Sequence, residues 1–324
     1  MVIVSVGWHS LSAAETVAVR ETLRTEEEMN MLDMGTARIA YRKFGDGPTK
    51  VVIEGALNSC NAEWWNFCND FDDPPILVYD RAGYGYSTKS SRERTPMNVV
   101  LELAELLKRT ETDKEIILVG HSQGGLYATL FALKYPEKVR AVILLDPLSI
   151  TDDRFKKELS EREFNSSGVD KTRTLKIGKA ITGLGLGFML KGLLKNAPPF
   201  YYEKYDPEAE KYILHALTQK KQYETALSEY ENAHVKENLA EYKGNMHKPL
   251  CLMRHNEMKM IEEIIHFGNC EKQIAEKVET LWQSVMRDML IFSDQPEEIV
   301  AENSGHYIHL TDRKLVIDKI KSFI

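Results

Sequence analysis

The chain has 324 residues, of which 43% are hydrophobic and 28% charged, and a formal net charge of −7. That length holds one sizeable domain or a core with an insertion, and the composition is that of a globular protein. The negative balance argues against a nucleic-acid binder and offers no attraction to anionic membranes.

Residues 1–30 read as an N-terminal extension. Their apolar start, Met1-Val2-Ile3-Val4, lacks a basic flank and is too short to span a membrane, so no secretory signal is expected and the expected address is the cytoplasm. Ala37–Phe44 alternates like a strand and ends in the turn cluster Gly45-Asp46-Gly47-Pro48. Val51–Ile53 and Ile76–Tyr79 are the next strands. Thr95-Pro96 then starts a helix with the apolar stripe Val99, Leu103, Leu106, Leu107. Ile116–Val119 is a strand, Leu126–Lys134 a helix and Val142–Leu145 a strand. The alternation predicts an α/β fold with a mostly parallel sheet covered by helices on both faces.

Residues 149–247 differ: helical, charged and tyrosine-rich, they read as a helical cap inserted between a first core part, 31–148, and a second, 248–324. Ile177–Leu194 within the cap is apolar but holds Lys179, Lys191 and five glycines. A flexible element over the active-site mouth is expected there rather than a membrane span or an interfacial helix. Phe200, Tyr201 and Tyr202 are candidate pocket-lining residues, with packing the simpler role. Leu250–Met253 and Ile299–Ala301 are the last strands, and a closing helix carries Val316, Ile320 and Phe323. Between those strands, Ile274, Val278, Leu281, Trp282, Val285 and Met289 recur at helical spacing and are expected to pack on the sheet.

The chemistry concentrates in Gly120-His121-Ser122-Gln123-Gly124, a G-x-S-x-G placed between a buried strand and a helix. A serine hydroxyl is a weak nucleophile without a base, and a sharp turn makes it accessible to both base and substrate. His306, in the loop before the last helix, is the candidate base; nearby His309 reads as structural, and the remaining histidines show no partner pattern. Two residues could orient that base. Asp146 ends a strand at the rim where ligands bind in open α/β sheets, and Glu257 follows Leu250–Met253; Asp146 is preferred. Oxyanion donors are expected from the backbone N–H of Gln123 and of Ala56, with Leu57 next. Cys60, Cys68, Cys251 and Cys270 lack metal-site spacing and read as reduced thiols.

Three motifs resemble the α/β-hydrolase fold superfamily, over roughly residues 35–148 and 248–324: Gly120–Gly124, Tyr79-Asp80-Arg81-Ala82-Gly83-Tyr84-Gly85-Tyr86-Ser87 and Ser304-Gly305-His306-Tyr307-Ile308-His309. The order Ser122, Asp146, His306 is similar to the superfamily's Ser, Asp/Glu, His order. Glu54-Gly55 replaces its usual His-Gly, and its usual acid after the seventh strand is missing, which resembles a subgroup whose acid follows the sixth. Asp80, Arg81 and the glycines of the second motif are expected to hold a loop and do no chemistry. The resemblance implies a serine hydrolase of a small to medium apolar carboxylic ester. A thioesterase, amidase or carbon–carbon hydrolase, or a ligand-binding protein with an idle triad, would carry the same motifs. The expected partner is a small acyl substrate, with no metal, organic cofactor or nucleic acid and no membrane association.

Overall fold

A computed structural model describes residues 29–71, 73–235, 238, 244–268 and 270–324; most of the N-terminal extension lies outside them. Eight strands form one sheet: β1 (Asn30–Asp33), β2 (Arg38–Phe44), β3 (Thr49–Glu54), β4 (Ile76–Tyr79), β5 (Thr112–His121), β6 (Val139–Leu145), β7 (Pro249–His255) and β8 (Gln295–Ala301). Their spatial order is β1-β2-β4-β3-β5-β6-β7-β8. β2 pairs antiparallel with β1 and β4, and every other pairing is parallel. β1 lacks an alternating pattern and was not expected from the sequence.

The helices are α1 (Trp65–Asn69), α2 (Pro96–Arg109), α3 (Gln123–Lys134), α4 (Arg154–Glu158), α5 (Glu161–Ser166), α6 (Thr172–Gly183), α7 (Lys191–Leu194), α8 (Pro207–Leu217), α9 (Lys220–Ala233), α10 (Glu257–Gly268), α11 (Lys272–Arg287), α12 (Ile308–Thr311) and α13 (Arg313–Lys321). The central strands are buried on both faces, as parallel strands under two helical layers must be. α2 starts where Thr95 accepts a hydrogen bond from the Asn98 N–H at 3.3 Å, with Pro96 at the first helical position. α3 is buried almost all round because it runs beneath the sheet's centre.

The segment from α4 to α9 contains no strand among its described residues. α6 and α9 share a small apolar cluster, Leu175, Tyr223 and Ala226, joined by Tyr84, and the other helices pack elsewhere. Tyr212, Ile213, Ala216 and Leu217 of α8 join one apolar layer of the sheet, with Trp65 and Val119. Phe155 and Leu159 instead pack with Met260 and Ile264 of α10 and with Ile274, Val278, Leu281 and Val285 of α11. The α11 stripe therefore packs mostly on helices rather than on the sheet; Met286, Met289 and Phe292 join the sheet layer, with Trp282 and Leu290 packed against it. Residues 177–194 fold as the end of α6, a short 3-10 turn and α7. Leu184, Phe188, Met189 and Leu193 are each more than 60% exposed, so they face outward rather than lining a mouth. Among the described residues, no helix is long and apolar enough to cross a membrane.

Candidate active site

The parallel strands deliver their carboxyl ends to one edge, where β5 ends at His121 and β6 is followed by Asp146. Ser122 sits at φ 53°, ψ −122°, a backbone region L-residues rarely occupy. Its side chain makes no cap hydrogen bond to α3, so the hydroxyl is not spent on the helix. The turn is tight on every side. A Cβ on Gly124 would lie 2.1 Å from the Glu54 carbonyl oxygen, and one on Gly120 would lie 2.7 Å from Gly125 Cα.

Asp146 is fully buried at φ 47°, and its N–H donates to the Met253 carbonyl at 2.9 Å. Its Oδ2 lies 2.5 Å from His306 Nδ1. Burial alone would raise the Asp146 carboxyl. The charge of His255 beside it, with the contacts of His255 and His306, outweighs burial and holds it below the usual carboxylate range. Glu257 stands exposed in the first turn of α10, and no ion pair links it to His306. His309 is fully buried, stacked on Trp64 with ring centroids 3.9 Å apart, and neither of its ring nitrogens has a hydrogen-bond partner.

Two of the histidines without a partner pattern in the sequence adjoin Asp146 or His306. His121, inside the motif, lies 2.9 Å through Nε2 from the His306 carbonyl oxygen. Burial first, then the nearby His306, lowers it to about 3, so the ring is neutral and donates from Nε2. His255, at the end of β7, lies against the other oxygen of Asp146. Glu263 of α10 was also missed; its Oε2 accepts the His306 N–H at 3.1 Å. Trp282 stands with its ring 6.0 Å from the His306 ring, and Tyr202 stacks on Tyr307 at 5.4 Å. Nothing local in the sequence marks His255 or Glu263, because they arrive from β7 and α10.

Gln123 is the first residue of α3, whose leading N–H groups have no partner within the helix. Arg81 donates to the Gly55 carbonyl at 2.6 Å and the Ala56 carbonyl at 2.8 Å. In trans peptides the following N–H groups point the opposite way, so those of Ala56 and Leu57 face away from Arg81. Arg81 is itself held by buried carboxylates, at 2.7 Å by Glu54 and at 3.0 Å by Glu229 of α9. Glu229 also takes Arg94 at 2.9 Å, and Arg94 takes Glu102 at 2.7 Å. The motif around Arg81 thus ties the loop after β3 to the inserted helices.

Comparison with known proteins agrees with this fold. Residues 51–168 match the family model described as alpha/beta hydrolase fold. The chain has the α/β-hydrolase fold. It is 35% identical over 108 residues to the uncharacterized protein YqjL of Bacillus subtilis, covering 33% of this chain and 42% of that one. It is 36% identical over 75 residues to the mouse (lyso)-N-acylphosphatidylethanolamine lipase, covering 22% of each. The matches thus span well under two thirds of these relatives. An esterase of Exiguobacterium antarcticum superposes with a TM-score of 0.59 at 13% identity, over 90% of this chain and 97% of that one. At that identity the likeness shows the fold.

Proposed function

We propose that the chain is a serine hydrolase of a small to medium apolar carboxylic ester, acting through Ser122, His306 and Asp146. The observation that carries the reading is the 2.5 Å contact between Asp146 Oδ2 and His306 Nδ1, beside a serine held in a strained elbow. Ser122 Oγ attacks the ester carbonyl while His306 Nε2 takes its proton. The tetrahedral oxyanion is received by the N–H groups of Gln123 and of Ala56 or Leu57. Its collapse breaks the bond to the alcohol oxygen, which leaves with the proton from His306. Water then attacks the acyl-serine with His306 again as base, releasing the acid. Asp146 holds the imidazole with Nε2 toward the serine and stabilises its cation. The partial likeness to a lipase of acylated phospholipid is in keeping with an acyl substrate.

The test is labelling with a fluorophosphonate, read by intact mass on wild type and Ser122→Ala. One label per wild-type chain and none on the variant is the expected result. No label on folded wild type would support the binding-protein reading instead. A positive result leads to a chain-length panel of esters and thioesters, which separates those two activities.

A further inference from the structure

We propose that His255 and Glu279 extend the triad by two buried links, with His255 a positioning residue that holds Asp146 through Oδ1 while Oδ2 faces His306. The inference rests on the serine-hydrolase reading above. His255 Nδ1 lies 2.5 Å from Asp146 Oδ1, and the His255 backbone N–H reaches the same oxygen at 3.4 Å. Nδ1 makes no well-directed hydrogen bond, so the side-chain contact acts as a charge pair. On the far side of the ring, Nε2 lies 2.9 Å from Glu279 Oε2 and 3.0 Å from Oε1. Gln283 donates to Glu279 at 2.6 Å and fixes it in turn. Asp146, His255 and Glu279 are all buried.

The arrangement solves a problem that the triad creates. A buried carboxylate with one oxygen on His306 and the other unpartnered would take up a proton or rotate. Burial disfavours charge on His255, but Asp146 and Glu279 together overcome it and raise the ring to about 10. The row then reads carboxylate, imidazolium, carboxylate, with the net charge of a single acid. β7 places His255 there: Leu145 pairs with Met253 in the sheet, which brings the residue after β6 beside the end of β7.

The charged and titratable groups around the two histidines are few. His255 faces Asp146 and Glu279, while the neighbouring Arg254 turns to Glu298. His306 faces Asp146 from β6, His121 from β5, Glu263 from α10, and Tyr307 and His309 beside it in the chain. Removing the His255 cation therefore leaves the Asp146 charge facing His306 without its buried counter-charge.

The experiment measures 4-nitrophenyl butyrate hydrolysis across pH for wild type, Asp146→Asn, His255→Asn and Glu279→Gln, with circular dichroism as a check on folding. His255→Asn is expected to lower kcat about 10- to 100-fold, through loss of the buried charge that faces the orienting acid, with KM within about twofold. The acid limb of its kcat/KM profile moves to higher pH. Glu279→Gln keeps the ring but removes one of the two charges that keep it protonated. Its kcat is expected to decline on the alkaline side, as His255 loses its proton nearer neutrality, a decline that His255→Asn lacks.

If Asp146→Asn is crippled while His255→Asn keeps the wild-type kcat and acid limb, the proposal is overturned and the triad stands. A slow His255→Asn with an unmoved limb, alongside a wild-type Glu279→Gln profile, would reduce His255 to packing and also overturn it. Should His255→Asn fail to fold, the Glu279→Gln profile alone decides. A near-normal rate for Asp146→Asn would remove the orienting acid itself, and the link with it.

Discussion

Two buried histidines close to His306 make the fold sensitive to acid. Burial, then the nearby His121 and His306, hold His309 well below its ordinary range, and His121 is lowered to about 3. An unfolded chain takes up these protons near pH 6.5 and the folded one does not, so stability present above about pH 6.5 is lost as pH falls through that window. The melting temperature is expected to drop between about pH 7 and about pH 5, and to drop less in His309→Phe, which keeps the stack on Trp64. Equal drops in both proteins would remove His309 from the account. Ser122 and His306 were legible in the sequence because each sits in a local motif, and Asp146 because it ends a buried strand. His121, His255, Glu279 and Glu263 were not: their partners come from other elements, and only the β5-β6-β7 register and the α10–α11 excursion bring them together.

At the scale of elements, α9 is fastened to the loop after β3 by a row of buried ions. Glu229 accepts from Arg81, from Arg94 and from the Tyr84 hydroxyl at 2.9 Å. Breaking such a row strands charge, so Glu229→Gln is expected to cost about 3–5 kcal/mol, read as a lower denaturant midpoint at constant slope. Its kcat should fall as well, because Arg81 also holds the Gly55 and Ala56 carbonyls. Full activity in a destabilised variant would separate the clamp from the oxyanion loop. The runs that became β3, β5 and β6 were readable from apolar residues alone. β1 was not, since Asn30–Asp33 has no pattern and is defined by pairing with β2. The α11 stripe showed its helix and hid its partner, because Phe155 and Leu159 lie more than a hundred residues upstream.

For the whole molecule, the parallel sheet and the change of character after β6 followed from alternation and composition. How the inserted helices attach did not, as one part joins the sheet's own layer and another the α10–α11 pair. Stability is also a property of the whole, and Ser122 bears on it through its backbone. At φ 53°, ψ −122° it occupies ground that suits glycine, at a cost on the order of 1–3 kcal/mol. Ser122→Gly should melt above wild type while Ser122→Ala, equally inactive, should not; matched melting temperatures would mean the turn is unstrained. The residue that selection for durability alone would install here is glycine. A lineage released from turnover at this site would therefore be expected to drift toward a sturdier, silent protein.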